Sequence, residues 1–90
     1  MAAFIGMVPE EVQSLGNLLT NTVGGEIDAI ISKVNGQLGS THWVGTDRSK
    51  FDSDWSGTYV AQLQQVKSAL GQFGQHALQE AQQQIEASAT

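Results

Sequence analysis

Residues able to do chemistry are few in this chain of 90 residues, and their spacing offers little to a catalyst. There is no Cys to act as a nucleophile, and Ser49, Ser53 and Ser56 have no His near them along the chain to accept a proton. His42 and His76 stand alone and read as polar surface residues. Asp47, Asp52 and Asp54 are grouped, but they lack the Gly and distal Glu of a calcium loop, and acids at the start of a helix account for them. The expectation is therefore a protein with no catalytic group, no metal site and no cofactor. One motif stands apart, Trp43-Val44-Gly45, near the middle of the chain. An indole carries a large apolar surface and a polar N–H, the combination most enriched at binding hot spots. Gly45 removes a side chain two residues later, which permits positive φ or the close approach of a partner backbone. Trp43 thus reads either as a recognition residue or as a plug in the local core.

Two long amphipathic stretches flank that motif. Val12, Leu15, Leu19, Val23, Ile27, Ile30, Val34 and Leu38 recur at steps of three and four, which places them on one face of a helix over about 9–38, with Leu18 and Ile31 on its shoulders. Pro9 suits the first turn, where a missing N–H costs nothing, and Glu10 and Glu11 complement the positive end of the macrodipole. Gly36, Gly39 and Ser40-Thr41 punctuate the end of this helix. A turn over 39–45 follows, and Thr46 is placed to cap a second helix over about 46–86, with 87–90 as a flexible tail. In that helix Phe51, Trp55, Tyr59, Leu63, Val66, Leu70, Phe73, Ala77, Ala81 and Ile85 form the matching stripe. Arg48 and Asp52 make an i,i+4 pair. A short join between two long helices gives an antiparallel αα-hairpin, so the chain is expected to be a single all-α domain over 1–90.

Composition narrows the partners. Nine Asp plus Glu against four Lys plus Arg give a net charge of −5, and the cations Lys33, Arg48, Lys50 and Lys67 are scattered. Nucleic acid and anionic membrane surfaces both call for clustered cations, so neither is an expected partner. No apolar run approaches the roughly 18–20 residues of a membrane span, and 1–8 lacks the positive region of a cleavable signal peptide.

The width of the two stripes adds a further expectation. Each covers an arc of roughly 160°, broader than contact with a single neighbouring helix requires. Gly16, Gly24, Gly25, Gly57, Gly71 and Gly74 fall inside the expected helices at a cost of about 1 kcal/mol each relative to Ala. Packing must offset that cost, some of these glycines can let backbones approach closely, and the pair Gly24-Gly25 could instead interrupt the first helix. A chain this short, without disulfides, points to two hairpins joined as a four-helix bundle. The hairpin and dimer core would then comprise Val12, Leu15, Leu19, Val23, Ile27, Ile30, Val34, Phe51, Trp55, Tyr59, Leu63, Val66, Leu70 and Phe73.

Trp43-Val44-Gly45, followed by Phe51 and Trp55 within a helical hairpin of this length, resembles the WXG family, the small Esx-type (early secreted antigen-like) substrates of the bacterial type VII secretion system. The opening Phe4-Ile5-Gly6-Met7 also resembles the start of many actinobacterial members. The resemblance implies a non-enzymatic subunit that pairs with itself or with a similar WXG subunit into an antiparallel four-helix bundle. It also implies export without a cleaved signal peptide, from the cytoplasm, by a type VII export ATPase. Trp43 and Gly45 would supply the turn half of a bipartite export signal. The tail half, a Tyr followed four residues later by Asp or Glu, has no counterpart here, since Leu63 follows Tyr59 at that distance and no tyrosine lies beyond. A partner subunit would supply it, or a divergent element such as Ile85-Glu86. The alternative reading is an intracellular helical adaptor or chaperone for a larger partner protein.

Overall fold

The computed structural model describes residues 6–89 and is an antiparallel hairpin of two helical arms. The first arm comprises α1 (Pro9–Asn17), a π-helical turn (Leu18–Thr22) and α2 (Val23–Gly39). The second comprises α3 (Thr46–Asp54), a second π-turn (Trp55–Tyr59) and α4 (Val60–Ala89). No strand occurs among the described residues. The helix start expected at Pro9 is observed, with Pro9 in the first turn and Glu10 and Glu11 beside it. Two details depart from the sequence reading. Helix two runs on to Ala89, so 87–89 are helical rather than a loose tail. Thr46 is the first helical residue and Gly45 holds the capping position at φ +117°, so no side chain caps this end. The first arm passes through Gly24-Gly25 without a break. Phe4, Ile5 and Thr90 lie outside the described residues.

Both π-turns have a cause in the apolar spacing. Leu15, Leu19, Val23 and Ile27 follow one another at steps of four, and so do Phe51, Trp55, Tyr59 and Leu63. In a regular helix three such steps overshoot three full turns by about 120°. The i→i+5 spacing of a π-turn inserts one residue and takes back about 100° of that drift. Each π-turn lies within one of these two runs, so the apolar residues on either side of it stay on one face.

The hairpin is long and thin. It measures 68 × 18 × 15 Å with a radius of gyration of 20.0 Å, against about 12 Å for a compact domain of this length. Among the described residues three apolar side chains are buried, those of Ile27, Ile31 and Ala81, and no large side chain is fully enclosed. The reason lies in what fills the seam between the arms. Gly16 and Gly74 are both buried where the arms cross. A Cβ placed on Gly74 would come within 2.8 Å of the Gly16 carbonyl oxygen and 2.7 Å of Thr20 Cγ2; one placed on Gly16 would reach Leu78 Cγ at 2.7 Å. Gly24 gives space to the Lys67 stem, at 3.3 Å from the nearest atom. The arms therefore meet backbone to backbone, and the large side chains are left to the flanks of the seam.

Glycine substitutions should separate these roles. At Gly71 an added Cβ meets nothing within 4 Å, so Gly71→Ala should raise stability by about 0.5–1 kcal/mol through helix propensity alone. Gly74→Ala should lower stability despite the same gain, because a carbonyl oxygen and a Leu19 Cβ obstruct it. Thermal melts of the two variants with opposite shifts are the expected result; equal upward shifts would refute the close crossing.

Candidate interaction surface

Seven of the large apolar side chains that the seam does not take are collected on one side of the hairpin. Leu15, Leu18 and Ile30 from the first arm and Phe51, Tyr59, Val66 and Phe73 from the second are all exposed, Phe73 to 63%. Helical phase counted at about 100° per residue through the two π-turns, combined with the antiparallel connection, puts these seven on the same side of the plane containing both arms. Half-buried Leu19, Val23, Val34, Leu63 and Leu70 lie between them and the seam. Two open clefts mark this side near the turn end. One of about 360 Å³ is lined by Trp55, Tyr59, Gln62, Leu63 and Val66. The other, of about 400 Å³, is lined by Lys33, Val34, Gln37, Leu38 and Phe51.

Polar ties lean toward the opposite side. Lys67 Nζ donates to both carboxylate oxygens of Asp28 at 3.0 and 2.8 Å, joining the arms near their midpoint. The Trp55 indole N–H donates to Asn35 Oδ1 at 2.8 Å. Both pairs are solvent-exposed, so each contributes modestly to stability while setting the register of one arm against the other. Among the described residues no helix is long and apolar enough to cross a membrane, and no group of three His, Cys, Asp or Glu is placed to hold a metal ion.

These positions divide the joint hairpin and dimer core expected from the sequence between the seam and the open face. Leu15, Ile30, Phe51, Tyr59, Val66 and Phe73 are not part of the hairpin's own core; they stand on its open face. Of the fourteen residues assigned there, Ile27 alone is buried, while Val12, Leu19, Val23, Val34, Trp55, Leu63 and Leu70 are half-buried. Ile31, placed on the shoulder by periodicity, is in the seam, because the π-turn rotates the stripe by part of a turn. Gly16, Gly74 and Ala81 do much of the interior packing.

The turn has a defined geometry. The Trp43 ring packs on Phe51 with centroids 5.2 Å apart and planes tilted by 55°, a favourable aromatic pair. Trp43 is 38% exposed, so the indole is neither a buried plug nor a free side chain. Val44 at the tip is 94% exposed. The last carbonyls of α2 are satisfied locally: Ser40 Oγ and Thr41 Oγ1 both donate to the Gln37 oxygen, at 3.1 and 2.6 Å. Arg48 does more than pair with Asp52, since its guanidinium also reaches backbone oxygens of 38, 41 and 43. The i,i+4 spacing signals the Asp52 contact only; the other three depend on how the chain reverses. His42 and His76 bring no further group together with the motif; His76 Nε2 lies 3.6 Å from Glu80 Oε1 on the exposed surface of α4.

Comparison of the chain with known protein families, with curated proteins and with solved structures finds no match.

A double-mutant cycle tests the tie between the arms. Trp55→Phe should cost about 0.5–1.5 kcal/mol in urea unfolding, and Asn35→Ala should cost little more once Trp55 is absent. Strictly additive losses would show that the indole bond contributes nothing.

Proposed function

We propose that the chain is a non-enzymatic helical-hairpin subunit of the WXG (Esx) type, which pairs through its open face with a second hairpin and is exported by a type VII secretion system. The observation that carries this reading is the one-sided face, seven large apolar side chains left uncovered on a molecule whose own seam is filled largely by glycine and alanine. Contiguous exposed apolar surface of this kind marks protein interaction sites. The total surface is 6532 Å², against roughly 5,100 Å² for a compact monomer of 9.6 kDa. That excess, about 1,400 Å², is more than the roughly 800 Å² that each partner buries in a standard interface. A flat pair of helices with one apolar side is completed most simply by another such pair, which gives a four-helix bundle. The partner is a second copy or a similar subunit.

Export enters the proposal through the turn. Trp43-Val44-Gly45 stands at one end of the hairpin, where Trp43 adjoins the pairing face through Phe51, with the backbone turned at Gly45 by a positive φ that only glycine adopts without strain. Trp43 and Gly45 are the proposed turn half of the export signal, read by the export ATPase. Because no tyrosine follows Tyr59, the tail half would come from the partner subunit or from Ile85-Glu86.

Two measurements test the two halves. Val66→Asp places a charge in the middle of the face at a residue that is 49% exposed in the hairpin. It should weaken pairing by at least about tenfold in sedimentation equilibrium, since an unpaired carboxylate would have to be buried. An unchanged mass distribution would remove the pairing face from the proposal. For the turn, Trp43→Ala should reduce the amount of protein outside export-competent cells while far-ultraviolet circular dichroism stays near wild type. Purely cytosolic wild-type protein in such cells would favour the adaptor reading instead.

A further inference from the structure

Arg48 carries a set of contacts that the pairing face does not use. Its side chain is 19% exposed and lies in the bend between the arms with its donors spread over four groups. Nε donates to Asp52 Oδ1 and Oδ2 at 2.9 and 3.0 Å, Nη2 to the Leu38 carbonyl at 2.9 Å, and Nη1 to the carbonyls of Thr41 and Trp43 at 3.2 and 3.0 Å. One planar fork, anchored on Asp52 within α3, thus ties the end of α2 and the middle of the turn to that helix. Guanidinium suits this work because its donors are held in one plane and stay charged; an ammonium on a flexible stem cannot hold three carbonyls and a carboxylate in a fixed arrangement. The last turn of α2 holds no basic residue of its own, so Arg48 also supplies the positive charge that the negative end of that helix favours.

What this clamp holds out is apolar. Trp43, fixed by its carbonyl on Arg48 and its ring on Phe51, shows only its outer side, and Val44 beside it touches almost nothing. A valine exposed to 94% at the tip of a turn held by three hydrogen bonds from Arg48 to the carbonyls of Leu38, Thr41 and Trp43 is an ordered apolar knob. Ordering it in advance removes most of the entropy cost that a mobile loop would meet on binding. Around the tip the charges are Asp47, Lys50 and the Arg48–Asp52 pair, which is too few cations for an anionic lipid surface and no deterrent to a protein socket.

We propose that Arg48 is the positioning residue of the turn and that it presents Val44 with the outer face of Trp43 as a preformed contact surface for an apolar socket on a folded protein partner. The proposal rests on the export reading for the partner's identity, and not for the clamp.

Nitrogen-15 relaxation of the pure protein tests the clamp without any partner. In the wild type, amides 41–45 should be as ordered as those of the arms. In Arg48→Gln, which keeps hydrogen-bonding groups but loses the charged fork, they should become mobile while circular dichroism keeps the helical signal. Arg48→Lys should restore the charge without restoring the order. A turn as rigid in Arg48→Gln as in wild type would overturn the positioning role. The contact surface is tested by Val44→Asp, which disturbs nothing within the hairpin. Its export should fall about tenfold or more, the size of effect expected for an apolar hot-spot contact, with pairing in sedimentation unchanged. Export equal to wild type would overturn the surface. Absence of wild-type export would overturn the export reading and the surface with it, while the relaxation result still decides the clamp.

Discussion

The close crossing of Gly16 over Gly74 governs the rest of this hairpin. Without side chains at that point, two helices come near enough for a carbonyl oxygen of one to occupy the space where the other would carry a Cβ. Once the backbones are this close, Leu78 and Leu19 fill the space beside the crossing, and no room is left there for phenylalanine or tyrosine. Those side chains must leave the seam, and the phase of the two arms sends them to the same side. The thin shape, the small buried core and the apolar face thus follow from one packing choice.

The two π-turns serve that choice. A stripe written in steps of four winds off its face in a regular helix, and in a two-helix structure there is no third helix to receive it. Adding one residue at Leu18–Thr22 and one at Trp55–Tyr59 returns the drift. In the second arm this keeps Leu63 and Val66, below the π-turn, on the face that begins at Phe51, whose ring packs on Trp43. The turn and the face are therefore parts of one continuous surface, joined through Phe51.

At the bend the solution is polar. The chain reverses with Gly45 at positive φ, and the carbonyls left over at the end of α2 are taken by Ser40, Thr41 and Arg48. A reversal made this way needs no hydrophobic core of its own, which leaves Val44 and part of Trp43 free on the surface. Apolar flank and apolar tip are thus available together without competing for the same side chains.

Periodicity in the sequence was enough to establish two helices, their antiparallel join and the residues of the apolar stripes, because spacing along a helix is a local property read directly from residue order. Pro9, the glycines before the turn and the mid-chain Trp43-Val44-Gly45 placed the boundaries to within a few residues for the same reason. The division of each stripe between seam and open face was not legible. It depends on how closely the arms approach at Gly16 and Gly74 and on the rotation added by each π-turn, and both arise only when the two helices meet. Arg48 shows the same limit: its pairing with Asp52 follows from four residues of spacing, whereas its hold on Leu38, Thr41 and Trp43 exists because the folded chain brings the end of one helix against the start of the next.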